Sequence, residues 1–209
     1  LKRMGPAVAM LQETHLLGTK CHFLGRLGFD RVFHAGFSRG TRGVAILLKK
    51  SFPFTLLGSK SDPLGRYVAI WGLVEGVAHN FVSVYVPPQM HATTFDELGD
   101  VVLGMPPGVT VIGGDCNALL DRERDSSRGL AGRAPAADIR FGAWVGSLGL
   151  CDVWRTWNPT TTLYTHTSAA HGSHSRLDYF LMPATISLGP LGPEYCRGAY
   201  QTIHPCRCQ

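Results

Sequence analysis

No apolar run in the 209-residue chain approaches the roughly 20 residues that a membrane-spanning helix needs, so no membrane partner is expected. Linkers rich in Ser/Gly or Pro are lacking, and so are internal repeats, which argues against a multidomain or solenoid organisation; residues 1–209 read as a single domain. Charged residues make up only 17%, too few for a charge-dominated disordered chain. The six cysteines (Cys21, Cys116, Cys151, Cys196, Cys206 and Cys208) are scattered, several of them inside apolar runs. They read as reduced intracellular thiols and not as a disulfide framework. Cys206 and Cys208 beside His204 lack the spacing of a structural zinc site. The start, Leu1-Lys2-Arg3-Met4-Gly5-Pro6, has neither a secretory apolar core nor an initiating Met, which is expected of a domain cut from a longer protein.

What is present is a globular composition, 44% apolar, long enough for one α/β domain with a sizeable core. Twenty basic against 15 acidic residues give a net charge of +5, compatible with a polyanion such as nucleic acid. Short apolar runs at 7–11, 43–48, 67–74, 80–86, 110–112 and 177–182 read as strands, several of them buried on both faces. Helices are expected over 94–103, with Thr93 or Thr94 as N-cap and Asp96 and Glu97 in the first turn, and over 138–148, where Ile139, Phe141, Trp144, Val145 and Leu148 recur at helical spacing. Residues 122–133 read as a polar, basic loop.

The polar residues concentrate where strands end: Gln12-Glu13-Thr14, Tyr85, Gly114-Asp115-Cys116-Asn117 and Ser175-Arg176-Leu177-Asp178, with His204 later. Singly these have ordinary readings. A Glu after a strand is usually a solvated turn residue, and Asp-x-Asn after Gly-Gly is usually turn chemistry. Together they suit phosphodiester hydrolysis. That reaction needs carboxylates for a hard cation, a group to deprotonate water, and donors for the charge that builds on phosphoryl oxygens.

Leu11-Gln12-Glu13-Thr14, Gly43-Val44-Ala45-Ile46, Val84-Tyr85-Val86-Pro87, Gly114-Asp115-Cys116-Asn117 and Ser175-Arg176-Leu177-Asp178-Tyr179-Phe180 stand in the order found in the endonuclease/exonuclease/phosphatase superfamily, which the chain resembles over nearly its whole length. Leu120-Asp121-Arg122 and Asp152-Val153-Trp154-Arg155 through Tyr164-Thr165 are similar to the endonucleases of LINE-type (non-LTR) retrotransposons, relatives of apurinic/apyrimidinic endonucleases and DNase I. The resemblance implies two mainly antiparallel β-sheets packed face to face with flanking helices, in a DNase I-like four-layer sandwich. It implies a Mg²⁺- (or Mn²⁺-) dependent DNA nickase, a monomeric domain once fused to a reverse transcriptase and working in the nucleus.

By the same resemblance Glu13 holds the cation, Asp115 activates water, Asn117 and Tyr85 bind the scissile phosphate, and Asp178 orients His204. Ser175 and Arg176 lie beside the site, and with Arg122, Arg124 and Arg42 they are expected to face substrate. The chain departs from the pattern in lacking a first strand with a metal-side Asn, in carrying Ile203 where an Asp precedes the His, and in stopping at Gln209 before a last core strand. It therefore reads as truncated at both ends. Loss of those oxygens keeps open an inactive relic, beside a phosphatase or phosphodiesterase acting on a small phosphoester.

Overall fold

The computed structural model describes residues 6–16, 22–38, 40–129 and 132–187. In chain order the elements are β1 (Val8–Leu11), α1 (His22–Gly25), β2 (Arg31–Ala35), β3 (Val44–Leu48), β4 (Phe54–Ser61), β5 (Tyr67–Val74), β6 (Val77–Tyr85), α2 (His91–Leu103) and β7 (Val109–Asp115). They continue with α3 (Arg122–Asp125), α4 (Ala136–Ser147), β8 (Leu150–Asp152), α5 (Val153–Trp157), β9 (His166–Ser168), β10 (Ser173–Ser175), β11 (Asp178–Pro183) and α6 (Ala184–Ser187).

Strand β3 shows why the fold is layered. All five of its residues are buried, because both faces of the strand are covered. Val44, Ile46 and Leu48 join a core with Val8 and Met10 of β1 and with Phe54, Val68, Ile70, Phe81, Val109 and Val111 of the larger sheet. Ala45 and Leu47 point the other way, with Ala9 and Leu11, onto Leu24 and Phe29. The first core separates a three-stranded sheet, ordered β1-β3-β2, from a six-stranded one, ordered β4-β5-β6-β7-β11-β8. The outer face of the six-stranded sheet (Tyr67, Ala69, Val82, Val84, Ile112) packs on Phe95, Leu98 and Val101 of α2 and on Phe141, Trp144 and Val145 of α4. The result is the expected sandwich of two sheets with helices outside. All pairings are antiparallel except β6 with β7, which α2 connects as a parallel crossover.

The strands expected from apolar runs are present, and β2, β4, β8, β9 and β10 add to them. Strand β4 is an edge strand, mostly exposed and bulged between Leu56 and Gly58, so it lacks the alternation that marks a half-buried strand. Helix α2 starts at His91, ahead of both threonines, and its N-cap is Met90 without a side-chain cap. Thr94 is instead buried, accepting a hydrogen bond from Arg66 at 3.4 Å, and the first turn holds no acidic residue. The basic loop is a short helix at its start, α3, capped by the Asp121 carboxylate, which accepts from the Arg124 amide at 3.2 Å. His204, Ile203, Cys196, Cys206 and Cys208 lie outside the described residues.

Gly114 is where the two central strands approach most closely at the chemically interesting end. A Cβ there would land on the Val84 carbonyl oxygen, an obstacle that belongs to the backbone and cannot rotate away. Gly114→Ala is expected to cost about 3 kcal/mol, the upper end of ordinary overpacking. Urea unfolding measures it; a loss under about 1 kcal/mol would mean that β6 and β7 can separate freely.

Candidate active site

Topology alone gathers the polar strand ends. Strand β1 ends at Leu11 opposite Ala45, one residue into β3. Strands β6 and β7 run parallel and end in register, Tyr85 beside Asp115. Strand β11 runs antiparallel to β7 and starts at Asp178, opposite Asp115. Five strand ends therefore lie along one edge of the sandwich.

Parity then decides which way the side chains point. Residues directly opposite in a sheet share a face, and so do residues two apart. Tyr85, Asp115 and Asp178 thus share the face of Ser83, Gly113 and Phe180. That face looks at the three-stranded sheet: a Cβ on Gly113 would meet Met10, and Ser83 accepts a hydrogen bond from the Gln12 amide at 3.1 Å while donating to the Leu11 carbonyl at 3.2 Å. Gln12 so ties the end of β1 to β6 and delivers the next residue, Glu13, to Tyr85.

The Tyr85 hydroxyl feels these neighbours. Burial first, then the negative charges of Glu13 and Asp115 and a hydrogen bond to Glu13, push it up to about 12, against the opposing positive charge of Arg42. The phenol therefore stays a protonated donor throughout the working pH range. Asp115 is buried, 5% exposed, and its Oδ1 accepts the Asn117 amide at 2.9 Å. Asn117 is held on two further sides: its Nδ2 donates to the Val86 carbonyl at 3.0 Å, and its carbonyl lies 2.9 Å from His91 Nε2. The buried Cys116 thiol between them is pushed well above its usual range by burial, then by Asp115, Asp178 and Asp152. Burial is the largest part of that shift, and the three carboxylates add to it against the charge of Arg176.

Backbone strain marks the same edge. Among the described residues five non-glycines have positive φ: Glu13 (50°), His15 (54°), Arg42 (54°), Asn117 (44°) and Glu75 (49°). Glu75 is the first residue of the two-residue β5–β6 hairpin turn, which demands that conformation. The other four border the strand-end edge, and unfavourable backbone that persists is a pointer to function. Backbone bonds hold it in place: Thr14 donates to Gly43 at 3.0 Å, and His15 to Arg42 at 2.9 Å.

The remaining residues sort differently from expectation. Arg176 is 2% exposed and cannot meet a substrate. Its Nε and Nη2 bind the two oxygens of Asp125 at 2.9 Å each, Nη2 also binds Asp152 at 2.5 Å, and the guanidinium lies over the Trp154 and Tyr179 rings. The substrate-facing role expected of it gives way to one of fixing the chain just before Asp178. Ser175 sits in the β9–β10 hairpin and bridges to Ser126. Arg122 faces Asp138 at 3.6 Å and the Gly132 carbonyl at 3.2 Å, while Arg124 is exposed beside Asp121. Arg42 alone of these arginines reaches the electrostatic neighbourhood of Tyr85.

Arg66 is a residue the sequence pattern does not single out. It is buried, chelates Asp62 through Nε at 2.7 Å and Nη2 at 3.1 Å, and also pairs with Glu97. Its carbonyl accepts the Tyr85 amide at 2.7 Å, so this ion cluster positions Tyr85 from behind. The signal available was an Asp and an Arg four residues apart around a Pro-Leu-Gly turn.

The donor set suits a hard cation. Glu13, Asp115 and Asp178 offer carboxylate oxygens, and the described residues contain no group of three His, Cys, Asp or Glu side chains placed to hold a metal together. One or two carboxylates with retained water is the mode of Mg²⁺.

Three comparisons bear on this geometry. The Endonuclease/Exonuclease/phosphatase family model matches residues 1–200. The "Transposon TX1 uncharacterized 149 kDa protein" of Xenopus laevis is 27% identical over 220 residues, covering 98% of this chain; the chain spans 16% of that relative's length. Among solved structures, the AP endonuclease LMAP from Leishmania major superposes with a TM-score of 0.71 at 17% identity, covering 90% of this chain and 72% of that one. The endonuclease domain of TRAS1, a telomere-specific non-LTR retrotransposon, superposes with a TM-score of 0.61 at 19% identity, covering 86% and 74%. At these identities the structures speak for the fold.

Proposed function

We propose that this chain, which belongs to the Endonuclease/Exonuclease/phosphatase family, hydrolyses phosphodiester bonds in DNA and nicks one strand at a time with the help of Mg²⁺ or Mn²⁺. The observation that carries the reading is the placement of Tyr85, Asp115 and Asp178 on one face of the sheet end, with Glu13 bonded to Tyr85. DNA is favoured as the phosphoester by the net charge of +5 and by relatives named as DNA-acting or transposon proteins. In this reading the domain belongs to a longer polypeptide that carried a reverse transcriptase, working in the nucleus.

Glu13 would hold the cation, which when bound offsets negative charge on the phosphate. Asp115 orients a water and takes its proton as the water oxygen bonds to phosphorus; the bond from phosphorus to one sugar oxygen breaks, and that oxygen takes a proton from solvent. Tyr85, whose single O–H goes to Glu13 here, would turn it to a non-bridging oxygen when Glu13 takes the cation. Asn117 donates to another through the second hydrogen of Nδ2, the first being committed to Val86. The partner that the resemblance gives Asp178, His204, lies outside the described residues, so Asp178 enters the proposal as a carboxylate facing Asp115.

The test is nicking of supercoiled plasmid with Mg²⁺ and with a chelator. Relaxed circles formed only with Mg²⁺ are expected; none formed by the folded chain would refute the nickase, and turnover of an inositol-phosphate or nucleotide panel would redirect the substrate. The cation site has its own readout. If its Kd is about 1 mM, 10 mM Mg²⁺ adds about 1.4 kcal/mol of stability. Thermal melts should show a rise in Tm for the parent and none for Glu13→Gln; equal rises would place the cation elsewhere.

A further inference from the structure

We infer that Phe37 and Arg42 form an aromatic–cationic clip at the rim of the catalytic edge, which holds a nucleotide flanking the cleaved bond, the ring stacking on its base and the guanidinium contacting its phosphate. This rests on the DNA reading above and adds to it a specificity-determining residue, Phe37, and a chemistry of recognition.

Phe37 is 45% exposed, on the connection between β2 and β3 that leads into the strand-end edge. The Arg42 guanidinium sits 4.9 Å from its ring centroid. The pair is anchored where catalysis is proposed. The Phe37 amide packs so closely on Gly65 that a Cβ there would come within 3.0 Å of it, and Gly43 donates to the Gly65 carbonyl at 3.2 Å. The next residue, Arg66, holds the Tyr85 amide. The Ser38 and Thr41 side chains hydrogen-bond across the loop and close it, so Phe37 is presented on a braced turn.

Arg42 carries the second half. It holds a left-handed backbone, φ 54°, that a β-carbon disfavours, and its carbonyl is fixed by the His15 amide at 2.9 Å. Among the described residues its guanidinium makes one hydrogen bond, to the Leu64 carbonyl at 3.4 Å, and most of its five N–H donors have no partner among them. Backbone bonds set Arg42 at the catalytic edge: His15, two residues after Glu13, donates to its carbonyl, and the next residue, Gly43, donates to Gly65, beside the Arg66 that holds the Tyr85 amide. An exposed aromatic beside a cation, on the connection that borders the catalytic edge, matches how proteins hold unpaired or edge bases: a π-face for the base and a cation for the backbone.

The experiment is binding of a labelled DNA duplex by fluorescence anisotropy in a chelator, so that cleavage does not intervene. A series of duplexes carries one abasic residue at successive positions. The parent chain should bind and lose affinity at one abasic position. Phe37→Ala should bind about 5- to 100-fold more weakly and be indifferent to that same abasic position, because ring and base are one interaction. Phe37→Trp should retain both affinity and the positional response. Arg42→Ala should weaken all duplexes alike and reduce the salt slope by about 1. The clip alone is overturned if Phe37→Ala binds as the parent does, or if its loss is additive with every abasic position. No binding by the parent overturns the DNA reading, and the clip with it.

Discussion

Asp115→Asn is expected to lower Mg²⁺-dependent nicking by about 10²–10⁴-fold, the range over which a positioned general base contributes, while the protein stays folded. The substitution removes basicity and little else. Asparagine keeps an oxygen to accept the Asn117 amide, now bound at 2.9 Å, so the turn carrying Asn117 survives. The change also takes one negative charge from a crowded place: Asp115 stands opposite Asp178, beside Tyr85 with its Glu13 contact, and its charge registers on Cys116. Like charges brought together by the fold oppose it, so Tm should be no lower than the parent's. Nicking rates and melts made on one preparation separate the possibilities. A variant that nicks as fast as the parent would remove Asp115 from the chemistry and direct suspicion to a contaminating nuclease. A variant that fails to nick and melts well below the parent would make Asp115 a structural residue.

The placement of the candidate edge was largely legible in the sequence, and the reason is the burial of its strands. Strands covered on both faces read as short apolar runs, so the first polar residue after each run marks a strand end. Asp115 follows from that rule, Glu13 stands one residue later than it predicts, Tyr85 lies just inside the end of its run and Asp178 just inside the start of its own, and the sheet pairings bring Tyr85, Asp115 and Asp178 together. The supporting shell was not legible. Asp125 lies in a stretch of alternating charge that has every mark of a solvated loop, yet it is 0% exposed and binds Arg176 and Arg155. Arg176, two residues from Asp178, has the pattern of a surface ion pair. Arg66 and Asp62 flank a turn whose composition predicts only a turn. Asp125 and Arg176 become buried ions through partners distant in sequence, which local pattern cannot carry; Asp62 and Arg66 pair locally, and only the Glu97 contact of Arg66 comes from far along the chain. Edge strand β4 escaped for the opposite reason: its side chains are mostly solvated and its register shifts at a bulge, so no period remains to be read.

Arg176→Met should be the most destabilising substitution outside the apolar core, costing about 3–5 kcal/mol, the usual effect of leaving buried charges without their partner. Two carboxylates depend on this guanidinium. Asp125 would retain Arg155, whose Nη2 reaches its Oδ1 at 2.7 Å, but would lose both contacts with Arg176. Asp152 would lose its 2.5 Å partner and keep the Arg155 amide it accepts as N-cap of α5. Arg176→Lys should recover only part of the loss, because an ammonium cannot span two carboxylates with a rigid fork. Urea unfolding of the three proteins measures the order parent, Lys, Met. If Met proves as stable as the parent, the cluster contributes nothing net and its apolar replacement is sufficient.

The same residue links stability to chemistry. The Arg176 amide donates to the Asp125 carbonyl at 2.9 Å, and the next carbonyl, of Leu177, accepts the Cys116 amide at 2.9 Å. Asp178 and Asp115 are thus set opposite each other by a chain segment that the ion cluster clamps. Assayed at a temperature where both are folded, Arg176→Lys should nick more slowly than the parent with little change in substrate affinity, since the residue touches no substrate and acts through the alignment of Asp178. A variant with weakened DNA affinity and unchanged turnover would show instead that Arg176 reaches the substrate after all.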